Sequence, residues 1–285
     1  MQRLCFAVVL FAAGCHSEVG SDRVSSRRSL SDNESRILVE HLDDFQGQPA
    51  IRITGPAATW VFHKQGAALA SIFDSDGADW ISYRPEGGAE GHFRGFPNLI
   101  HPEGDFHPGG ENSDLEILYE NGEHVGLRAA TRDGEWEALW DITAGRAQFT
   151  VTKAPRPYWV LYEGTPGGSL DLDHDYYLLP DSPPSPVTES FARDLPGTEW
   201  IAFGDDRLGR VLYLVQHHDD DKLDQFYEMQ SAMTVFGFGR EHRCCGKYLE
   251  TIPATYTIGF LESDDPRFIG NAVRAIVENP VALSR

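Results

Sequence analysis

Three glycine-containing turns divide residues 114–153 into four short segments in which apolar and polar residues alternate. The turns are Asn121-Gly122, Asp133-Gly134 and Ala144-Gly145. Asn-Gly and Asp-Gly between alternating segments are typical of two-residue hairpin turns, which need positive φ. Each parallel crossover would need about a dozen residues or more, so this spacing excludes a βαβ arrangement. The segment therefore predicts an antiparallel meander.

The same alternation predicts strands elsewhere in the chain. They lie at Thr59–His63, Ala68–Phe73, Trp80–Tyr83, Tyr158–Tyr162, Trp200–Phe203, Arg210–Gln216, Met233–Phe238 and Ala254–Phe260. So many strands do not stay in one open sheet, and two stacked sheets are the usual solution. An apolar stripe between Asp264-Asp265 and Asn279-Pro280 predicts one helix at 266–278. The expected fold class is all-β, a large antiparallel β-sandwich of the supersandwich kind with one C-terminal helix.

The start of the chain reads as a secretion signal. Arg3 precedes the apolar stretch Leu4–Ala13, and Ala12-Ala13-Gly14-Cys15 resembles a bacterial lipoprotein box. We predict a lipoprotein-type signal peptide at 1–15 with lipidation at Cys15, and ordinary secretion is the alternative. Residues 16–35 are predicted to be a flexible tether, and residues 36–285 a single β-sandwich domain. The expected location is outside the cytoplasm, lipid-anchored to the bacterial cell envelope on its periplasmic or outer-membrane side.

Net charge narrows the classes of partner. The chain has 44 acidic and 24 basic residues, which gives a formal net charge of −20. This charge argues against nucleic acid, whose phosphates need a cationic surface, and against peripheral binding to anionic lipid. A membrane is therefore expected as a partner only through a lipid anchor. The sequence also has no Gly-x-Ser-x-Gly, phosphate-loop, dinucleotide-binding or His-Glu-x-x-His motif, which disfavours the corresponding enzymes.

A long polar segment, Arg84–Ser113, is predicted to be an ordered loop with a function. Compact domains rarely keep about thirty residues without regular structure unless the segment is functional or disordered. The side chains of interest are Arg94, Phe96, Asn98, His101 and His107. Arg94 and Asn98 are suited to bind sugar hydroxyls or a carboxylate, and Phe96 to cover a sugar face. The alternative is a structural Ω-loop in which Phe96 is loop core and the histidines cap backbone groups.

Two further polar segments are predicted to be loops that carry chemistry. Residues 163–197 hold Glu163, His174, Tyr176 and Tyr177, together with the alternating acids Asp171, Asp173 and Asp175. A nearby carboxylate raises a histidine pKa, so this segment suits acid–base work. The three alternating aspartates resemble a calcium-binding loop, but the glycine and the distant Glu of such a loop are missing, which argues against calcium there. Residues 217–221 (His-His-Asp-Asp-Asp) follow a strand, and Arg240 is a second candidate cation. We predict no cofactor, and a divalent metal drawing on His217 or His218 and one aspartate stays open.

The segments Lys64–Leu69 and Ile72–Trp80 resemble the opening of the galactose-mutarotase-like β-sandwich superfamily. The resemblance extends loosely over residues 40–262. It implies a fold that many carbohydrate-active proteins use, among them lyases, epimerases and domains associated with hydrolases. It also implies a catalytic Glu near the end of a late strand, and Glu262 occupies a similar place. The histidine motif of the mutarotases is not matched.

These features together predict an extracytoplasmic carbohydrate-active protein, with an enzyme acting on polysaccharide as the leading hypothesis. In a lyase, Arg94 and Asn98 would neutralise a uronate carboxylate. The base would be His101, His107, His174 or His217, and Tyr176 or Tyr177 the acid. A hydrolase would use two carboxylates, with Glu163 and Asp173 as candidates. The alternatives are a non-catalytic glycan-binding envelope lipoprotein and a structural lipoprotein without a ligand. The expected partner is a carbohydrate, including acidic polysaccharides.

Overall fold

The structure is a computed structural model that describes residues 36–87, 93–241 and 246–281. The predicted signal peptide, the lipidation site Cys15 and the predicted tether lie outside the described residues. Cys244 and Cys245 also lie outside them. Within the described ranges, no helix is both long enough and apolar enough to cross a membrane.

Antiparallel strands make up most of the described chain. They are β1 (Leu38–Phe45), β2 (Gln48–Thr54), β3 (Ala58–His63), β4 (Ala68–Asp74), β5 (Ser113–Glu120), β6 (Val125–Thr131), β7 (Glu137–Ile142), β8 (Arg146–Lys153), β9 (Val160–Gly164), β10 (Asp175–Leu179), β11 (Ser182–Pro186), β12 (Phe191–Arg193), β13 (Trp200–Asp205), β14 (Val211–Gln216), β15 (Asp224–Met229), β16 (Met233–Phe238), β17 (Arg240–Glu241), β18 (Gly246–Lys247) and β19 (Ala254–Leu261). Helix α1 (Pro266–Glu278) follows the last strand.

The larger layer is one nine-stranded sheet in the order β11-β10-β13-β14-β19-β8-β7-β6-β5. The predicted meander forms consecutive strands of this sheet, β5 to β8, so that prediction is confirmed. The other strands form two four-stranded sheets, β1-β2-β3-β4 and β12-β15-β16-β9, and the short pair β17-β18. The predicted all-β sandwich with one C-terminal helix is therefore confirmed.

Residues 95–99 connect the two four-stranded sheets. Leu69 of β4 and Phe96 exchange backbone hydrogen bonds of 2.8 and 3.3 Å. On the other side, Gly95 and Glu163 of β9 exchange hydrogen bonds of 2.9 and 3.0 Å, and the Leu161 N–H donates to the Pro97 carbonyl at 2.8 Å. The segment thus joins both sheets into one layer, which we call the composite layer.

The hydrophobic core fills the space between the composite layer and the nine-stranded sheet. It takes alternate side chains from both layers, because successive residues of a strand point to opposite faces. Phe62 of β3 and Phe96 both contact Trp140 of β7, at ring-centroid distances of 5.0 and 5.9 Å. Phe96 also lies 6.1 Å from Phe149 of β8. The bridging segment therefore contributes an aromatic side chain to the core.

Helix α1 packs on the face of the nine-stranded sheet that points away from this core. Its stripe of Ile269, Val273 and Ile276 is buried against strands β10, β13 and β14. The Asp265 carboxylate accepts a hydrogen bond of 2.9 Å from the Arg267 N–H, which caps the helix. The helix predicted at 266–278 is confirmed with its bounds.

Two local predictions are wrong. Trp80–Tyr83 is not a strand, because the Asp79 carboxylate accepts from the N–H groups of Ile72 (3.2 Å) and Ile81 (3.1 Å) and replaces a ladder partner. The segment 163–197 is not a long loop, since Glu163 lies in β9 and three more strands, β10 to β12, follow. The proline-rich β11 is the edge strand of its sheet, where missing N–H groups cost least.

Shortening Ile269 tests the packing of α1. Ile269 is fully buried, whereas its neighbour Phe268 is half exposed. We expect Ile269→Ala to lower the free energy of unfolding by about 2–4 kcal/mol, because it removes buried methyl groups and leaves a cavity. Phe268→Ala is the matched control and should cost less than about 1 kcal/mol. Urea unfolding of both variants measures the difference, and equal losses would contradict the packing.

Candidate functional site

The outer face of the composite layer carries a small apolar cluster beside β9. Trp159, Leu161, Tyr227, Met233 and Val235 form this cluster, against which Phe93 packs. Along β9, Val160 and Tyr162 face the main core, so Leu161 and Glu163 face the opposite side. Alternation in one strand therefore places an acid within an apolar surface.

Glu163 is the acid at this position, and it is almost fully buried, with 4% of its surface exposed. The Asn98 Nδ2 donates a hydrogen bond of 2.5 Å to Glu163 Oε2. Burial raises the pKa of Glu163 to about 8, although the positive charge of Arg240 and the Asn98 hydrogen bond act in the other direction. Glu163 is therefore mostly protonated at neutral pH, as a general acid must be before it acts.

Two cations lie over the aromatic rings of the same face. The guanidinium carbon of Arg240 is 5.0 Å from the centroid of Trp159 and 5.1 Å from that of Tyr227. Arg240 also donates a hydrogen bond of 3.0 Å to the Tyr227 hydroxyl. The ammonium nitrogen of Lys247 is 4.4 Å from the Trp159 centroid, and burial lowers the pKa of Lys247. Such cation–π contacts hold positive charge near Glu163 without full hydration.

Two of the predicted histidines lie beside this cluster. The His101 ring stacks on Trp159 at 6.5 Å and lies 6.0 Å from the His107 ring. Phe93 contacts the edge of His101 at 5.2 Å. His107 is buried, whereas His101 is partly exposed. The structure thus brings Asn98, Glu163 and Arg240 together with both imidazoles of the Arg84–Ser113 segment.

Arg94 lines a cavity of about 250 Å³ at the end of β9, which we call the Arg94 cavity. Its guanidinium donates hydrogen bonds to the backbone carbonyls of Ala232 (2.7 Å) and Ser82 (3.2 Å), so its position is fixed by main-chain acceptors. The complete lining is Arg84, Arg94, Thr165, Gly168, Ser169, Leu170, Ser231 and Ala232.

The chemistry of this lining suits a small anion that also carries hydroxyl groups. Two guanidinium groups can pair with a carboxylate, and the hydroxyls of Thr165, Ser169 and Ser231 can bind polar groups around it. The Thr165 hydroxyl is buried and has no hydrogen-bond partner among the described residues. The cavity is smaller than the roughly 300 Å³ at which ordinary ligand pockets begin, so it fits one small group.

His174 and Tyr176 lie in a different cavity, of about 330 Å³, beside β10. His174 Nδ1 lies 2.8 Å from Asp206 Oδ1, and this hydrogen bond raises the pKa of His174. Burial raises the pKa of Tyr176 to about 12. Asp173 also lines this second cavity, whose lining shares no residue with the Arg94 cavity. The two cavities are therefore separate candidates.

The remaining candidates lie elsewhere. His217 follows β14 of the nine-stranded sheet, where its Nε2 lies 2.9 Å from the Thr257 hydroxyl, and burial lowers its pKa to about 4. Glu262 is exposed and pairs with Arg210 at 3.3 Å. Phe96 lies in the core between the layers. Asp171 pairs with Arg207 at 3.0 Å.

Sequence reasoning missed several residues of these sites. Trp159, Tyr227 and Lys247 were not among the predicted site residues, nor was Arg84. Only Trp159 could have been found from the sequence. It directly precedes β9, whose residues are apolar on both faces apart from Glu163, and an acid in such a strand indicates a site. Sequence reasoning also missed a polar cluster outside these sites, on the nine-stranded sheet. There the Tyr119 hydroxyl donates a hydrogen bond to the buried Asp141 carboxylate, and His124 Nδ1 lies 2.8 Å from Asp141 Oδ1.

Comparison with known proteins gives a likeness of fold. No protein family and no curated protein matches the chain. The solved structure of HI1317 matches with a TM-score of 0.55 at 12% identity, covering 79% of this chain and 100% of that one. A galactose mutarotase related enzyme from Lactobacillus acidophilus matches with a TM-score of 0.47 at 9% identity, covering 80% and 99%. An active YidC insertase matches with a TM-score of 0.43 at 9% identity, covering 86% of this chain and 45% of that one.

The match to HI1317 shows a shared fold across most of the chain. At 12% identity it shows the arrangement of the layers and nothing about the site. The likeness is therefore one of fold, and the resemblance to the galactose-mutarotase-like superfamily stays a prediction. The function must then be argued from the side chains.

Replacing Glu163 by Gln tests the buried acid. In the unfolded chain Glu titrates near 4.5, and in the folded chain near 8. Between these values only the folded state holds the proton, so stability falls as the pH rises. We expect Glu163→Gln to remove this part of the fall, which amounts to a few kcal/mol between pH 5 and 8 at about 1.4 kcal/mol per pH unit. Urea unfolding of both proteins at the two pH values measures it.

The exposed Glu116→Gln on β5 is the control for this experiment, and it should leave the pH dependence unchanged. A Glu163→Gln protein whose stability falls with pH as steeply as that of the wild type would show that Glu163 is ionised throughout.

Proposed function

We propose that this chain is an extracytoplasmic carbohydrate-binding protein whose Arg94 cavity takes an anionic sugar residue, such as a uronate within an acidic polysaccharide. The observation that carries the proposal is the pair of arginines lining one cavity with three hydroxyl-bearing residues. The buried Arg94 is already ordered by two backbone carbonyls, so little side-chain entropy is lost when it binds a carboxylate.

Electrostatics also favour an anion at this place. The protein is strongly acidic, with a formal net charge of −20, so its surface as a whole repels anions. The two guanidinium groups of the Arg94 cavity therefore make it a locally positive place on a negatively charged protein. A neutral sugar would not need them, since hydroxyls and aromatic rings suffice to bind it.

The extracytoplasmic location in this proposal rests on the sequence of residues 1–15 alone. A basic residue, an apolar stretch and small residues before Cys15 support export followed by lipidation. Anchoring at the cell envelope would place the cavity where bacterial cells meet polysaccharides.

Catalysis is the second candidate function, and the protonated Glu163 favours it. In a β-elimination, a base removes the proton at C5 of a uronate, an acid protonates the leaving oxygen on C4, and a C4–C5 double bond forms. Glu163 would be the acid, and the partly exposed His101 the base. In hydrolysis Glu163 would protonate the glycosidic oxygen, but its partner Asp173 lines the cavity of His174 and Tyr176. Elimination instead uses two candidates beside one apolar cluster, Glu163 and His101.

Binding of an anionic sugar is tested with two substitutions at exposed positions of the cavity. Arg84→Ala removes one guanidinium, and Ser169→Asp adds a negative charge. We expect each to weaken binding of a uronate oligosaccharide at least tenfold, because a charge-assisted pair is lost or opposed. Isothermal titration with uronate and neutral oligosaccharides of equal length measures the change.

The control for these variants is Arg132→Ala, an exposed arginine paired with Asp114 on the nine-stranded sheet, which should bind as the wild type does. Equal affinity for the neutral oligosaccharide, or unchanged affinity in both cavity variants, would overturn the proposed ligand class.

Catalysis is tested separately with the same uronate oligosaccharides. The unsaturated product of elimination absorbs ultraviolet light, so its formation can be followed directly. We expect Glu163→Gln to lower the rate at least a hundredfold, in the usual range for loss of a general acid, and the wild-type rate to fall above about pH 8. Binding without any product from acidic polysaccharides would leave the protein as a non-catalytic glycan-binding protein.

A further inference from the structure

Three carboxylates, two on the connection from β12 to β13 and one at the start of β15, lie close together in space. Asp194 follows β12, Glu199 precedes β13, and Asp224 is the first residue of β15. One oxygen of each carboxylate lies within 4.8 Å of the others. Calcium binds oxygen at about 2.3–2.6 Å, so two of its ligands on opposite sides are about 4.6–5.2 Å apart. The spacing of the three oxygens therefore matches a shared cation.

Burial makes these carboxylates costly without a positive charge between them. Glu199 is fully buried and Asp224 has 1% of its surface exposed. The two nearest basic residues in sequence have other partners. Arg193 binds Asp181 at 2.6 Å, and Lys222 binds Asp221 at 2.7 Å.

The hydrogen bonds of Glu199 point independently to a missing ligand. Its Oε1 accepts a hydrogen bond of 2.9 Å from the Asp220 N–H. Its Oε2 is buried and has no hydrogen-bond partner among the described residues. Asp224 accepts from the N–H groups of Gly239 (3.1 Å) and Leu195 (3.3 Å), which orient its carboxylate. An orphaned buried oxygen calls for a partner, and a cation held by a second, oriented carboxylate would supply one.

We propose that Asp194, Glu199 and Asp224 bind a divalent cation of the calcium class. All three ligands are carboxylate oxygens, which hard cations prefer, and the absence of His or Cys from the group disfavours zinc and copper. Irregularly spaced ligands on two segments suit calcium better than magnesium, which demands near-ideal octahedral geometry. Asp194 is exposed, so the ion can enter from its side.

The position of the site indicates its role. β12 and β15 belong to the composite layer, whereas β13 belongs to the nine-stranded sheet. A cation bound by residues at their ends would link the two layers at these strand ends. We therefore expect the ion to stabilise the fold, independently of sugar binding in the Arg94 cavity.

The test uses the full chain after dialysis against a chelator. We expect added calcium to raise the melting temperature and to bind with a measurable heat, and magnesium to bind at least tenfold more weakly. Asp194→Asn and Glu199→Gln should each weaken calcium binding at least tenfold. Without calcium, Glu199→Gln should melt no lower than the wild type. In that state Glu199 binds no ion, so the substitution removes a buried acid and no metal contact.

Asp221→Asn is the matched control, since this exposed acid pairs with Lys222 and should leave calcium binding unchanged. If Glu199→Gln does not fold, the exposed Asp194→Asn decides. Two results would overturn the proposal. One is a wild-type protein whose melting temperature does not respond to calcium or chelator. The other is unchanged affinity in Asp194→Asn, which would assign any calcium to another part of this acidic protein.

Discussion

The backbone hydrogen bonds of residues 95–99 hold the composite layer together. Without them β4 and β9 would each present an unpaired edge, which proteins normally cover or shorten. Gly95 has φ of +153°, and a Cβ there would lie 2.4 Å from Pro108 Cδ, so only glycine lets the chain approach so closely. The segment is therefore a structural connection as well as a source of polar side chains.

The same segment explains why core and site adjoin. Phe96 points into the core between the layers, while Asn98 reaches Glu163 and the flanking Arg94 reaches its cavity. Side chains that are fixed by main-chain pairing lose little freedom when a ligand binds. Substitutions within 95–99 should therefore affect stability and binding together, which is why the cavity is better probed from Arg84 and Ser169.

Periodicity in the sequence was enough to predict the layers but not how they are joined. The meander of β5–β8 and helix α1 followed from glycine turns and one apolar stripe, because both are local patterns. The pairing of Phe96 with Leu69 could not be predicted, since it depends on strands that are distant in sequence. Strands β10–β12 were likewise not predicted, because prolines and acids interrupt this part of the sequence. The edge strand β11, for example, has no alternating apolar pattern.

Residue types predicted some of the site, and tertiary structure decided the rest. Arg94, Asn98, Glu163 and Arg240 were identified as polar groups in unusual surroundings, and the structure places the last three together. His174 and His217 were grouped with them only by chemistry. Strand connections carry them to β10 and to the end of β14, where Asp206 and Thr257 are their partners.

The acidity of the chain has a structural consequence as well as an electrostatic one. Most of the acids can stay solvated, but several, among them Glu163, Glu199 and Asp224, are buried and each needs a compensating interaction. Glu163 has Asn98 and the nearby Arg240. Among the described residues, Glu199 and Asp224 accept their hydrogen bonds from backbone N–H groups. The proposed cation would supply at Glu199 and Asp224 the compensating positive charge that Arg240 supplies at Glu163.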